Sequence, residues 1–280
     1  MKARIILSAI FALGLSLTSC EQYSFTPSGD ITNIEKDITG FDALDVSHDF
    51  TVFVKFSDAE ESVRIEADDN FSDHIVVEKI GSTLHISLEG IQNIRGRKTL
   101  NAYITTPTLK DIEATGDSKV ILENELQNEQ VKINLRGDSQ LQGPISANHL
   151  AASISGDSKM ILDNMMQGES VILTVKGDSK FEGGFDVTTI DALLTGDSQI
   201  NLIGEADNAN IEARGDSKVK SYNFTVKSLD IDLASDSDAY LTVTDEMSVK
   251  ASGDSVMNYK GNPTINKQQL SGDAKVKNAN

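Results

Sequence analysis

Nine aspartates recur from residue 117 to residue 273 at nearly constant spacing: Asp117, Asp138, Asp157, Asp178, Asp197, Asp216, Asp236, Asp254 and Asp273. Each is the middle of a Gly-Asp-Ser triplet or a one-residue variant of it. Carboxylates brought into one file can hold a hard cation such as calcium, which takes oxygen ligands. The same triplet opens the nucleophile block of one class of serine esterases, but here it occurs nine times, is never followed by leucine and has no Asp-x-x-His downstream. The only such spacing, Asp45 to His48, lies upstream. A plainer role is a turn, in which Asp accepts a backbone N–H, Gly supplies backbone freedom and Ser adds a hydroxyl bond. The four histidines, His48, His74, His85 and His149, show no metal-ligand spacing and are expected on strands or at the surface.

The elements that would carry these groups follow from the period. The triplets begin at Gly116, Gly137, Gly156, Gly177, Gly196, Gly215, Ser235, Gly253 and Gly272, in steps of 18 to 21 residues. A fixed period of this length is the signature of a solenoid. Four residues before each start the column is apolar at all but the last, Gln268 (Ile112, Ile133, Ala152, Leu173 and onward), as it is two before (Ala114, Leu135, Ile154) and four after (Val120, Leu141, Met160). Six after, large alternates with small: Leu122, Gly143, Leu162, Gly183. Apolar residues two apart indicate strands with one buried face, so each repeat reads as strand, corner, strand and a variable return. No segment after residue 30 sustains helical spacing. The fold class is therefore all-β, a single-stranded parallel β-helix with about 20 residues per coil.

Parity turns the aspartates outward. Neighbours about 4.8 Å apart repel by roughly 0.9 kcal/mol in water. Compensation is expected from lysines two positions beyond the Asp: Lys119, Lys159, Lys180, Lys218 and Lys275. A polysaccharide lyase or hydrolase built on a β-helix is the enzymatic alternative, with Arg136 and Arg214 beside the corners as its basic candidates. So regular a repeat leaves no room for long cleft-forming loops. Aromatic platforms for sugars look scarce as well, since there is no Trp and both Phe181 and Tyr259 fall in inward columns.

The N-terminus sets the compartment. Lys2 and Arg4 precede an apolar run from Ile5 to Leu17, the pattern of an export signal over residues 1–19. Leu17-Thr18-Ser19-Cys20 resembles the bacterial lipobox, which makes Cys20 a lipid anchor, residues 20–40 a tether, and the membrane a partner through that lipid. Cys20 is the single cysteine, so no disulfide stabilises the exported chain. A net charge of −18 argues against nucleic acid. Residues 41–107 lack the triplet but alternate strongly and read as irregular β coils that cap the regular helix of residues 108–280.

The residues of this region carry a resemblance. Phe41-Asp42-x-Leu44, Val52 and Val54, Val63-x-Ile65-x-Ala67-Asp68-x-Asn70, Leu84-x-Ile86 and Thr106-Pro107-x-Leu109, followed by glycine-serine corners, resemble the auto-transporter adhesin family with the head GIN domain. The resemblance spans about residues 40 to 277. It implies a right-handed parallel β-helix on an envelope lipoprotein, of the outer membrane and facing the periplasm or the exterior, that acts as a non-catalytic adhesin or structural and binding module. Glycans or surface proteins are the partners it suggests. No cofactor follows from it, and calcium on the Asp file is the one ion the sequence raises. The regular Asp at the corner is a departure from the family.

Overall fold

The computed structural model describes residues 24–91 and 93–280, so the signal segment and Cys20 lie outside the described residues. The chain winds as a β-solenoid whose coils pair in parallel, rung upon rung, from Ala43–Val46 and Thr51–Phe56 to Thr264–Leu270 and Lys275–Asn278. Register is locked at the corners: Gly137 lies opposite Gly156, Gly156 opposite Gly177, and Gly196 opposite Gly215. There the Asp N–H groups donate to the corner carbonyl one rung below, Asp138 to Gly116 at 2.9 Å and Asp178 to Gly156 at 2.8 Å. The corner glycines from Gly116 to Gly272 have φ between 69° and 84°, a left-handed conformation that a side chain disfavours.

The expected apolar columns are buried along the shaft down to Val249, Ala251 and Met257. A further column six residues before each corner, Val131, Leu150, Val171, Ile190, Ala209, Leu229 and Met247, joins them. The alternation six after the corner is steric. A Cβ on Gly143 would come within 2.5 Å of the Leu122 side chain, so a small residue is needed there; the alternation ends where Leu241 lies opposite Tyr259.

The return is more ordered than a variable loop. It forms a third stacked face on which Leu126 pairs with Ile145, Met166 with Phe185, and Val187 with Ala206. Differences in coil length are absorbed where the post-corner strand passes into this face, because register shifts fall between Ile161 and Met165, Ile200 and Gly204, and Ser221 and Thr225. Corners stay aligned while the spare residues bulge.

At the N-terminal end, Ala43–Val46 is sandwiched between Thr83–Leu88 and Asp111–Ala114, and Thr51–Phe56 between Leu100–Thr106 and Lys119–Leu122. Antiparallel strands then close the stack: Ile75–Ile80 on Thr83–Leu88, Ser62–Asp68 on Leu100–Thr106, and Ile31–Lys36 on Ser62–Asp68. The tether expected over residues 20–40 is thus corrected at its inner end. Ile31–Lys36 is an edge strand, and Phe25 packs on Phe71 with ring centroids 4.7 Å apart. Buried Asp68 fixes this strap by accepting the N–H groups of Gly29 at 2.7 Å and Thr99 at 2.8 Å. At the other end every residue of Thr264–Leu270 is exposed, and Lys267, Lys275 and Lys277 stand on that last rung.

Candidate functional site on the outer face

All nine predicted aspartates are exposed, at successive corners that the backbone register sets in one file. A tenth corner heads them. His48-Asp49-Phe50 aligns with Gly116-Asp117-Ser118, with His48 at φ 70° and its carbonyl accepting the Asp117 N–H at 2.9 Å. Only the conformation reveals it, because neither Gly nor Ser marks it in the sequence. Asp49 there pairs with Lys98.

Serine, not aspartate, makes the side-chain hydrogen bonds of the corner. Ser118 to Ser255 at these positions are at most 1% exposed. Ser158 Oγ lies 2.9 Å from Ser155 O and 3.0 Å from Gly137 O, and Ser217 Oγ 2.7 Å from Arg214 O and 3.1 Å from Gly196 O. The nine Asp carboxylates take no such bond among the described residues. The lysine compensation is also corrected: Lys159 reaches Glu182 at 3.0 Å, and none of the five lysines pairs with the file. Side chains two apart on a strand point alike but start about 7 Å apart, and Lys159 finds a nearer carboxylate on the next rung. Among the described residues no three His, Cys, Asp or Glu converge as ion ligands.

The enzymatic candidates do not converge either. Arg136 pairs with Glu113 at 3.0 Å and Arg214 with Glu212 on their own patches of the surface. His149 Nδ1 lies 2.8 Å from Ser170 Oγ, which suggests a nucleophile and its base. Glu169, however, is 3.7 Å from Nε2 with its side chain 72% exposed, too far and too wet to orient the ring. His85 bonds Asp45 at 2.9 Å between two strands, and His74 Nδ1 lies 2.9 Å from Glu89 O in the turns beside them.

Sequence reasoning missed the outward aromatics. Phe53 stacks on Tyr103 at 5.1 Å, with Arg64 over the Tyr103 ring at 4.0 Å and its hydroxyl donating to Glu66 at 3.0 Å, so this cluster uses its polar tips internally. The Glu66 carboxyl is held below its ordinary pKa by hydrogen bonds from Asn101 and Tyr103 and by the Arg64 charge. The second pair is open. Tyr222 and Tyr240 meet edge to face, centroids 5.4 Å apart, with the Lys260 ammonium 4.7 Å above the Tyr222 ring.

These two tyrosines line a groove of about 590 Å³ with Lys218, Lys220, Asp238, Asn201, Ile203 and Asn223. It exists because of a bulge. Ser221 pairs with Leu241 and Thr225 with Thr242, so three residues, Tyr222 to Phe224, oppose none on the next rung. Phe224 turns into the core while Tyr222 and Asn223 are pushed out. Neither tyrosine hydroxyl forms a hydrogen bond, and none of Lys218, Lys220 and Lys260 an ion pair, among the described residues. Burial chiefly, then the neighbouring Asp238, pushes the Tyr240 hydroxyl pKa up. The signal was available in the sequence, in the 20-residue step to Ser235 followed by the 18-residue step to Gly253.

The comparisons agree with this architecture. A solved "putative adhesin" from Parabacteroides merdae is similar at 17% identity and TM-score 0.68, over 92% of this chain and 99% of that one. From Parabacteroides distasonis, a "putative lipid binding protein" matches at 18% identity and TM-score 0.69, over 92% and 100%. A "putative adhesin" of the same organism matches at 14% and 0.69, again over 92% and 100%. No match is found among curated proteins. The family model described as "Putative auto-transporter adhesin, head GIN domain" matches twice, over residues 40–163 and 151–263. With nearly all of the solenoid covered, the chain belongs to that family.

Proposed function

We propose that this protein is a non-catalytic binding module of the bacterial cell envelope, tethered by a lipid on Cys20 and engaging its ligand through the outer faces of the solenoid. One observation carries the reading: the bulge at Tyr222 opens a groove that presents two tyrosines with unbonded hydroxyls and lysines outside any ion pair, while elsewhere on the described surface no acid, base and nucleophile converge as one set. Concave, partly apolar walls with a few polar groups suit binding. Family membership supports an adhesive role. A glycan and surface-protein array probed with a soluble Cys20→Ser form should give saturable binding, and an array without signal would refute the adhesive reading. Labelled fatty acid should enter the protein as made in cells and be lost in the Cys20→Ser variant.

A further inference from the structure

We infer that the groove at Tyr222 and Tyr240 binds an acidic sugar, a pyranose carrying one carboxylate, as found in uronic-acid polysaccharides. The inference rests on the binding-module reading and names its ligand class. A pyranose has an apolar C–H face, a rim of hydroxyl donors and, in a uronic acid, one dispersed negative charge, and the groove answers each of these. The Tyr240 ring provides a platform, held edge-on by Tyr222. Lys218 and Lys220 line the same wall on one strand, and Lys260 approaches from two rungs away, already placed over the Tyr222 ring. Their ammonium groups can draw in a carboxylate. Asp238 lies opposite Lys218 in the parallel register and can accept only donated hydrogens, which sugar hydroxyls have and a sulfate group at neutral pH lacks, while it repels the greater negative charge of a phosphate.

The charge of the whole chain sharpens this choice. At −18 it repels densely charged polyanions, and a local excess of three lysines over one aspartate suffices only for a ligand with about one charge per residue. Ile203, half exposed at the groove edge, adds apolar contact without charge.

The test is calorimetric titration of the soluble Cys20→Ser protein with trigalacturonate, its methyl ester, maltotriose, a sulfated trisaccharide and inorganic phosphate. Trigalacturonate should bind best, with the ester and maltotriose weaker by about tenfold or more. Tyr240→Ala and Lys220→Ala should each weaken it about tenfold at unchanged thermal midpoint. Asp178→Asn, on the corner file, should have no effect, and added salt should weaken binding of the acid alone. Equal affinity for the methyl ester, preference for the sulfated sugar or phosphate, or indifference to both groove substitutions would overturn the assignment. If uronates fail while the array shows other glycans bound, the ligand class falls and the binding role stands. Failure of both removes both.

Discussion

Replacing Gly177 by alanine tests how the corners hold the stack. The residue sits at φ +74°, and a Cβ there would lie 2.7 Å from the carbonyl oxygen of Gly156 on the rung below. Left-handed backbone costs an L side chain about 1–2 kcal/mol, of which about 0.4–1 is returned by the stiffer unfolded chain. The contact adds more, because the Gly156 oxygen is the acceptor for Asp178 N–H at 2.8 Å and for Ser179 Oγ at 3.0 Å. Displacing it weakens two hydrogen bonds of about 0.5–1.5 kcal/mol each. The expected loss is about 2–3 kcal/mol. Gly81, at φ +63° with open space for 4 Å around the place a Cβ would take, isolates the backbone cost, so Gly81→Ala should lose about 1 kcal/mol or less. Both are read as midpoint shifts in urea at unchanged slope. Ser235 shows the effect in the native chain: at φ 64° it fills the same place, and Asp236 N–H to Gly215 O stretches to 3.1 Å. Equal losses at Gly177 and Gly81 would show that rung contact contributes nothing and refute the reasoning.

Other substitutions probe the cap and the file of acids. Asp68→Ala removes the buried carboxylate that accepts the Gly29 and Thr99 N–H groups and should cost about 2–4 kcal/mol, with faster amide exchange over residues 24–36 as the local readout. Thr106 is fully buried and its Oγ1 finds no partner among the described residues, so Thr106→Val should raise the urea midpoint by the equivalent of about 1 kcal/mol. Because the folded pKa of Glu66 is lowered, its contribution is present above the ordinary glutamate value and lost as pH falls through the lowered one; Glu66→Gln should flatten that acid limb of the stability curve. Calcium at millimolar levels should leave the melting midpoint where a chelator leaves it, since the file offers one exposed carboxylate per rung and calcium needs about six oxygens or more. A clear upward shift would instead assign an ion to the ladder.

How much of this was legible in the residues depended on the length of the period. Where one rung dictates the next, as at Gly137, Gly156 and Gly177, a spacing near twenty was enough to place strands, corners and inward columns. The Asp file lies exposed as parity indicated and the serine hydroxyls make the bonds expected of them, but the backbone N–H expected on each aspartate side chain is not found among the described residues. Ser158 and Ser217 look like surface residues in a polar corner, and only the inward turn of the chain after the aspartate buries them. The return face escaped because its distance from the preceding corner varies with coil length; counted back from the next corner, Leu126, Ile145, Met166, Phe185 and Phe224 all stand eleven residues before it. His48 hid the first corner for a related reason: left-handed backbone is readable when glycine supplies it and silent when another residue is forced into it.

The same logic explains where a site can arise on such a shaft. A uniform ladder repeats every side-chain environment, so no rung can select a ligand that its neighbours would not also meet. Selectivity needs a broken rung. The corners hold, because Asp N–H groups such as those of Asp138, Asp157 and Asp178 bond the carbonyl below and inward serines such as Ser158 and Ser217 bond the same turn. A coil of 20 residues stacked under one of 18 must therefore expel its surplus where the post-corner strand enters the return, and the surplus here is Tyr222 and Asn223, with Lys218 and Lys220 on the strand leading into them. The 19-residue coil from Gly196 to Gly215 shifts register between Ile200 and Gly204 against the same bulge, which opens the wall at Ile203. Mismatch in repeat length, an imperfection of the solenoid at first sight, thus concentrates outward aromatic and cationic groups of the regular coils at one place, while the regularity around it holds them still.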